Sequence, residues 1–135
     1  MINGNNLFVY GTLLLPKIME AVTGSSYESI PATLEGYRRL RLKNEVFPGI
    51  IADPEAYTKG KLYLGVEARS LRRLDAFEGD LFERRLLSVT AENGERCQAY
   101  VYLVPDRNSN QLENEPWSLK IFRQDDYETF MANIG

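Results

Sequence analysis

The sequence contains no histidine, and this absence removes several classes of catalytic chemistry. Ser-His-Asp and Cys-His nucleophilic catalysis, imidazole general bases and histidine metal ligands are all excluded. Any proton transfer carried out by this chain must therefore use a carboxyl group, a tyrosine, a lysine or a thiol.

Cysteine and long apolar runs are scarce as well. Cys97 is the single thiol in 135 residues, so no intramolecular disulfide can form. Because no base lies beside it in the sequence, we interpret Cys97 as an inert strand residue rather than a nucleophile. No apolar run approaches the ~20 residues of a membrane span, and the N-terminus lacks the features of a signal peptide. We therefore expect a soluble cytoplasmic protein without membrane contacts.

Size and charge point to one globular domain. The length of 135 residues and the 44% apolar content are typical of a single folded unit, predicted here over residues 1–135. The net charge is −3, and Arg38, Arg39 and Arg41 alternate with apolar and aromatic residues instead of forming a basic patch. Nucleic-acid binding is therefore not expected.

Apolar periodicity and turn residues predict about six strands and three short helices. The predicted strands cover residues 7–13, 32–42, 50–51, 59–66, 82–91 and 96–104. The helices are predicted after Pro16, over residues 70–78 with Ser70 as cap, and after a capping box of Asp125 and Glu128. Since an Asn93-Gly94 turn joins the last two strands and most others follow in hairpin order, we expect an α+β fold: a mostly antiparallel, barrel-like sheet with short flanking helices.

Glu78 is the candidate acid/base. It lies four residues after Leu74 and seven after Leu71, so all three side chains share the inward face of one helix. Burial, the nearby carboxylate of Asp75 and the helix C-terminus would each raise its pKa, which suits proton transfer near neutral pH. The alternative is that Glu78 and Asp80 are the ordinary solvated end of a helix, with Arg84 and Arg85 as their partners.

The segment formed by Tyr10, Gly11, Thr12 and Leu13 is the candidate anion site. A strand that ends in glycine and turns towards a helix exposes successive backbone N–H groups, and such groups bind carboxylate or phosphate. The alternative is that the glycine serves only the turn.

Three tyrosines on predicted strands are candidates for the wall of the same site. Tyr100 and Tyr102 share a face by the two-residue period of a strand, and Tyr63 lies on another strand. A buried phenol needs a hydrogen-bond partner, which a ligand or a carboxylate would provide. We expect Tyr63 and at least one of the other two to line the cavity; the alternative is that they are ordinary sheet aromatics.

The order of six short motifs adds a resemblance to a known family. The motifs are Tyr10-Gly-Thr-Leu13, Leu34-Glu-Gly-Tyr37, Phe47-Pro-Gly-Ile50, Gly60-Lys-Leu-Tyr63, Leu74-Asp-Ala-Phe-Glu-Gly79 and Ala99-Tyr-Val-Tyr102. In this order the chain resembles the gamma-glutamylcyclotransferase-like superfamily, over residues 7–104. The match is to the short branch that contains gamma-glutamylamine cyclotransferase and the AIG2-like plant proteins.

The resemblance implies a fold, a reaction and a set of roles. The fold would be a small mixed β-barrel flanked by helices. The reaction would convert a small gamma-glutamyl amine or amino acid to 5-oxoproline and a free amine, without metal or cofactor. Glu78 would be the acid/base, and the Tyr10–Leu13 loop would hold the α-amino and α-carboxylate ends of the substrate.

The resemblance also leaves the substrate open. Phe82 stands where the family usually has tyrosine, and if that phenol contacts the substrate in relatives, Phe82 removes a hydrogen bond. Phe47 likewise replaces the tyrosine that usually precedes Pro-Gly. We expect Phe82, Tyr63 and Tyr102 to contact the substrate. The alternative function is a non-catalytic binding or interaction module on the same fold. Oligomeric state is not predictable from these residues.

Overall fold

The computed structural model describes residues 5–134, which form a closed five-stranded barrel with packed helices. The strands are β1 (Leu7–Val9), β2 (Ser29–Arg41), β3 (Pro48–Tyr63), β4 (Glu83–Ala91) and β5 (Arg96–Leu103). The α-helices are α1 (Pro16–Thr23), α2 (Ala68–Glu78), α3 (Leu119–Asp125) and α4 (Tyr127–Ile134). Short 3-10 turns cover Thr12–Leu14, Gly79–Leu81 and Asp106–Gln111. No helix within residues 5–134 combines the length and apolarity needed to cross a bilayer.

The strands follow the order β1-β3-β2-β4-β5 around the barrel. The contact that closes it is parallel, where Leu7 of β1 is opposite Tyr100 of β5, and the other neighbours are antiparallel. The Asn93-Gly94 turn joins β4 to β5 as predicted, with Gly94 at a φ of +89°. The predicted fold class, a mixed and mostly antiparallel barrel with flanking helices, is confirmed.

The predicted strands 50–51 and 59–66 are in fact parts of one strand, β3, and this prediction was wrong. β3 pairs with β2 from Arg41↔Pro48 to Ser29↔Tyr63, with a register shift between Glu35 and Tyr37. The polar residues in the middle of β3 indicated a loop. They lie instead in an exposed part of the β2–β3 hairpin, where the strand continues because its backbone groups bond to the partner strand. β1 is shorter than predicted and ends at Val9.

The C-terminal prediction of one helix capped by Asp125 was also wrong. Asp125 is the last residue of α3, and Glu128 lies in the first turn of a separate helix, α4. The side-chain oxygen of Ser118 accepts a hydrogen bond of 3.3 Å from the Ile121 N–H and caps α3. A serine before the apolar stripe therefore begins the helix earlier than the capping-box pattern indicated.

Helix α2 begins two residues before the predicted cap. Ser70 is buried inside the helix, and its hydroxyl bonds to that of Tyr27 instead of capping. The predicted end is confirmed, since Gly79 follows the helix with a φ of +69°. A residue at positive φ stops a helix, so Glu78 becomes its final residue.

The core has two layers separated by the barrel wall. One layer fills the barrel and contains Phe8, Tyr10, Ala32, Leu34, Ile50, Leu62, Val89, Ala99, Val101 and Leu103. The other lies between the barrel and the helices and includes Leu7, Val9, Ile18, Leu74, Tyr102 and Phe122. Residues of β1 alternate between the two layers, as the strand period requires.

Gly60 lies on β3 beside its partner strand β1, at a point where the two backbones leave no room for a side chain. A Cβ on Gly60 would lie 2.0 Å from the carbonyl oxygen of Val9 and 2.9 Å from Cζ of Phe8. Because a backbone oxygen cannot turn aside, Gly60→Ala should lower the free energy of unfolding by about 3 kcal/mol or more. Urea denaturation measures the change. The exposed neighbour Lys59 provides the control, since Lys59→Ala should change the free energy of unfolding by about 0.5 kcal/mol or less. Equal effects of the two substitutions would contradict the close approach of the two backbones at Gly60.

Candidate active site

A cavity of about 120 Å³ lies where the chain leaves β1. Its lining brings together seven of the eight predicted site residues: Tyr10, Gly11, Thr12, Leu13, Glu78, Phe82 and Tyr102. Six further residues complete it: Phe8, Val9, Phe47, Pro48, Phe77 and Phe130. The candidate acid/base and the candidate anion loop therefore face one common space.

Tyr63 is the predicted site residue that does not line the cavity, which corrects the expectation. It is 1% exposed, and its hydroxyl donates a 2.7 Å hydrogen bond to the carbonyl oxygen of Leu13. Tyr63 therefore lies behind the loop and holds it in position. Tyr100 is also absent from the lining, because its ring packs under the Arg84 guanidinium at 4.6 Å.

The loop from Gly11 to Leu13 presents unused backbone donors. The Leu14 N–H donates to the Gly11 carbonyl at 3.0 Å, and the Leu15 N–H donates to the Thr12 carbonyl at 3.1 Å. The N–H groups of Gly11, Thr12 and Leu13 have no acceptor among residues 5–134. Since these groups lie on residues that line the cavity, they are a candidate nest for an anion such as a carboxylate.

The loop is held firmly on both sides. A Cβ at Gly11 would lie 2.8 Å from Cδ of Pro48, so only glycine allows this close approach. The Arg39 guanidinium donates to the Tyr10 carbonyl at 2.8 Å, and the Tyr10 hydroxyl donates to the Tyr102 carbonyl at 2.5 Å. A rigid loop keeps its donors in place before any ligand arrives, which lowers the cost of binding.

Glu78 is half-buried in the cavity wall at the end of α2. Burial raises the pKa of its carboxyl to about 8. Among the residues that the structure describes, no cation or donor binds it, because Arg84 pairs with Asp75 and Arg85 pairs with Glu83. The alternative of a solvated helix end paired with these arginines is therefore wrong.

Asp75 has a different role from the one expected. The raised pKa of Glu78 comes from burial, not from the neighbouring carboxylate. Asp75 accepts hydrogen bonds from Arg84 Nε at 2.8 Å and from the Tyr102 hydroxyl at 2.7 Å. Its charge is balanced by Arg84, and its function in the site is to orient Tyr102.

The two phenols of the cavity remain neutral and act as acceptors. Burial, followed by the charge of Glu78, raises the pKa of Tyr10. Burial and the hydrogen bond to Asp75 raise the pKa of Tyr102. Each hydroxyl already gives its hydrogen to an acceptor within the protein, so each oxygen can only accept a further hydrogen bond. A ligand ammonium group is a suitable donor to them.

Four phenylalanines form the remaining wall, of which the sequence indicated Phe47 and Phe82 but not Phe77 and Phe130. Their ring centroids are 6.0 Å apart for Phe47 and Phe82, 6.5 Å for Phe47 and Phe130, and 6.1 Å for Phe77 and Phe130. Phe77 could have been found from its place beside Glu78. Phe130 could not, because it is contributed by α4, whose position depends on tertiary packing. Within residues 5–134, no group of acidic or cysteine side chains is arranged to hold a metal ion.

The raised pKa of Glu78 predicts how stability depends on pH. The carboxyl titrates near its ordinary 4.5 when unfolded and near 8 when folded. Between these values the folded state holds the extra proton, so the free energy of unfolding falls as pH rises. Glu78→Gln removes this loss and should be more stable than wild type at pH 9, by up to about 5 kcal/mol, and equal to it at pH 4.

Urea denaturation at the two pH values tests this, with Glu128→Gln as the exposed control. The control should shift stability equally at both pH values because Glu128 is exposed on α4. A Glu78→Gln effect that is also independent of pH would mean that the Glu78 carboxyl is solvated.

Comparison with known proteins agrees with this geometry. The sequence model of the family described as Gamma-glutamyl cyclotransferase, AIG2-like matches residues 7–119. AIG2-like protein C of Arabidopsis thaliana is 31% identical over 128 residues, covering 94% of this chain and 74% of that protein. The resemblance noted in the sequence is therefore confirmed at the level of the family.

Solved structures share the barrel. A protein of Arabidopsis thaliana solved in solution is 28% identical, with a TM-score of 0.75 over 96% of this chain and 87% of that one. A solved gamma-glutamyl cyclotransferase is 14% identical, with a TM-score of 0.65 over 98% of this chain and 86% of that one, and so shares the fold. By sequence and by architecture, the chain belongs to the Gamma-glutamyl cyclotransferase, AIG2-like family.

Proposed function

We propose that this protein cyclises a gamma-glutamyl amine or amino acid to 5-oxoproline and releases the free amine, with Glu78 as the general acid/base. One observation carries the proposal: a desolvated carboxyl without an ionic partner shares a small cavity with three unused backbone N–H groups. These are the two kinds of group that the reaction requires, a proton carrier and an anion anchor.

The substrate would be held by its α-amino acid end. Its α-carboxylate would accept hydrogen bonds from the N–H groups of Gly11, Thr12 and Leu13. Its α-ammonium would then point to Glu78 and to the phenol oxygens of Tyr10 and Tyr102, which accept hydrogen bonds. This arrangement bends the chain so that the amine meets the γ-carbonyl, and orientation of this kind supplies much of the rate in intramolecular reactions.

The proposed chemistry balances with one proton carrier. Glu78 takes a proton from the α-ammonium, and the freed amine attacks the γ-carbonyl carbon to form a new C–N bond. The tetrahedral intermediate collapses as Glu78 gives this proton to the leaving nitrogen and the original C–N bond breaks. Glu78 then takes the second proton from the new ring nitrogen, which leaves a neutral lactam, and passes it to the released amine, which departs as an ammonium ion. The products are 5-oxoproline and an amine. These steps need no cofactor, because the nucleophile is part of the substrate.

The second candidate function is a binding module that keeps the cavity without catalysis. The buried carboxyl favours catalysis, because an unpaired acid costs stability whenever it ionises and a glutamine would serve binding equally well. The structural neighbour with the name gamma-glutamyl cyclotransferase adds an analogy of fold.

Glu78→Gln provides the first test of the proposed function. Glutamine keeps the shape and the hydrogen-bonding capacity of the side chain but cannot carry a proton. The variant should therefore fold and bind substrate while its turnover falls by roughly 10²–10⁴-fold. Release of 5-oxoproline from gamma-glutamyl amides measures turnover.

Asp75→Asn is the matched control, because it removes one carboxylate in the same helix. Since Asp75 contacts Tyr102 and Arg84 rather than the substrate, its loss should lower turnover by about tenfold or less. The mechanism is wrong if Glu78→Gln cyclises a substrate at the wild-type rate.

The pH dependence of kcat/KM tests the state of the same carboxyl. Glu78 must be ionised to accept a proton, and in the free protein its pKa is about 8. The value of kcat/KM should therefore rise tenfold per pH unit from pH 6 and level off near pH 8. This acid limb should persist in Asp75→Asn and disappear from the residual activity of Glu78→Gln. A limb near pH 4.5 in the wild type would contradict a buried acid/base.

A further inference from the structure

One side of the cavity is apolar, and we call it the aromatic wall: Phe47, Phe77, Phe82 and Phe130. Phe82 is buried, whereas the other three are half-buried and so lie nearer the mouth of the cavity. Phe47 and Phe82 directly precede β3 and β4, Phe77 lies at the end of α2, and Phe130 lies in α4. Ring centroids 6.0–6.5 Å apart make the wall a continuous surface.

The small cavity volume determines which part of a substrate meets the wall. The cavity measures about 120 Å³, and a space of roughly 150 Å³ holds a single benzene molecule. A gamma-glutamyl group bound to the Gly11–Leu13 nest would fill it. The group attached to the γ-nitrogen must then lie outward, against the half-buried rings.

The charges around the cavity determine what that group can be. Among the described residues that line it, Glu78 is the only carboxyl group, and neither lysine nor arginine is present. The nearby arginines are engaged, since Arg39 bonds to the Tyr10 carbonyl and Arg84 bonds to Asp75. A leaving group with a carboxylate would meet no cation, and one with an ammonium group would lose water against phenylalanine rings.

We infer that the leaving group is an uncharged, apolar alkyl or arylalkyl amine, and that Phe130 is a specificity-determining residue for it. This inference rests on the proposed function. When the γ-carbon–nitrogen bond breaks, the nitrogen takes its proton from Glu78 and departs with its apolar substituent along the aromatic wall.

Phe130 is the member of the wall that the C-terminal helix α4 contributes. The family match ends at residue 119, and α4 lies beyond it. Phe130 packs edge-on against Phe122, at 5.4 Å between centroids, and Phe122 is 1% exposed. The ring is therefore fixed to the core from behind while its other contacts face Phe47 and Phe77.

A matched series of substrates tests the inference. The gamma-glutamyl amides of pentylamine, of 1,5-diaminopentane and of 5-aminopentanoate have tails of equal length that are apolar, cationic and anionic. The apolar amide should have a kcat/KM at least tenfold above both others, and kcat/KM should rise about threefold to fourfold per methylene from methylamide to pentylamide.

Variants of α4 show whether Phe130 is responsible. Phe130→Ala should lower kcat/KM for the pentylamide about tenfold and leave the methylamide, whose tail is too short to reach the wall, within about twofold. Phe130→Glu should reverse the preference towards the cationic amide. Met131→Ala is the control on the same helix, because Met131 packs on the core without lining the cavity. It should leave the preference unchanged.

A binding measurement separates failure of the inference from failure of the proposed function. Calorimetry with Glu78→Gln compares binding of the three amides without turnover. Equal kcat/KM and equal binding for the three tails would overturn the inference and leave the function standing. If the pentylamide binds more tightly than the other two amides but the wild type releases no 5-oxoproline, the apolar preference of the aromatic wall is supported and the proposed cyclisation is wrong. Neither binding nor turnover of any amide would overturn both.

Discussion

The three residues of β1 hold the barrel closed, and the candidate site depends on that closure. Leu7 is opposite Tyr63 of β3 on one side and Tyr100 of β5 on the other. A strand this short joins β3 to β5 through few contacts. The backbone of β1 therefore lies very close to that of β3, and the absence of a side chain at Gly60 allows this approach. After Val9 the ladder ends, and the following N–H groups are left without strand partners. The anion nest is therefore a consequence of where β1 stops.

The electrostatics of the cavity follow from the same packing. Helix α2 lies on the outer layer of the core and ends at Gly79, which leaves Glu78 as the last helical side chain, facing the nest. Arg84 is held by Asp75 and so cannot neutralise it. An acid that is desolvated and unpaired stays protonated near neutral pH until a cation arrives. The ammonium group of the substrate we propose is such a cation, and it would provide the proton transfer with which the proposed cyclisation starts.

Local patterns in the sequence predicted much of this arrangement. The spacing of Glu78 from Leu74 indicated that its side chain faces inward, and the glycine turn after the first strand indicated a loop with unpaired backbone N–H groups at the cavity. The sequence could not show which strands become neighbours, so Tyr63 was expected in the wall although it lies behind the loop. Phe130 could not be predicted as a cavity residue, because tertiary packing alone brings the ring of this C-terminal helix to the cavity.

The most direct test of this account is the titration of the Glu78 carboxyl. Carbon-13 labelling of the glutamate side-chain carboxyls allows each one to be followed by NMR against pH, and loss of one signal in Glu78→Gln assigns it. The account predicts a Glu78 titration midpoint of about 8 in the free protein. It also predicts a lower midpoint once a gamma-glutamyl amide is bound, since the ammonium stabilises the carboxylate. A midpoint near 4.5, unchanged by the amide, would contradict it.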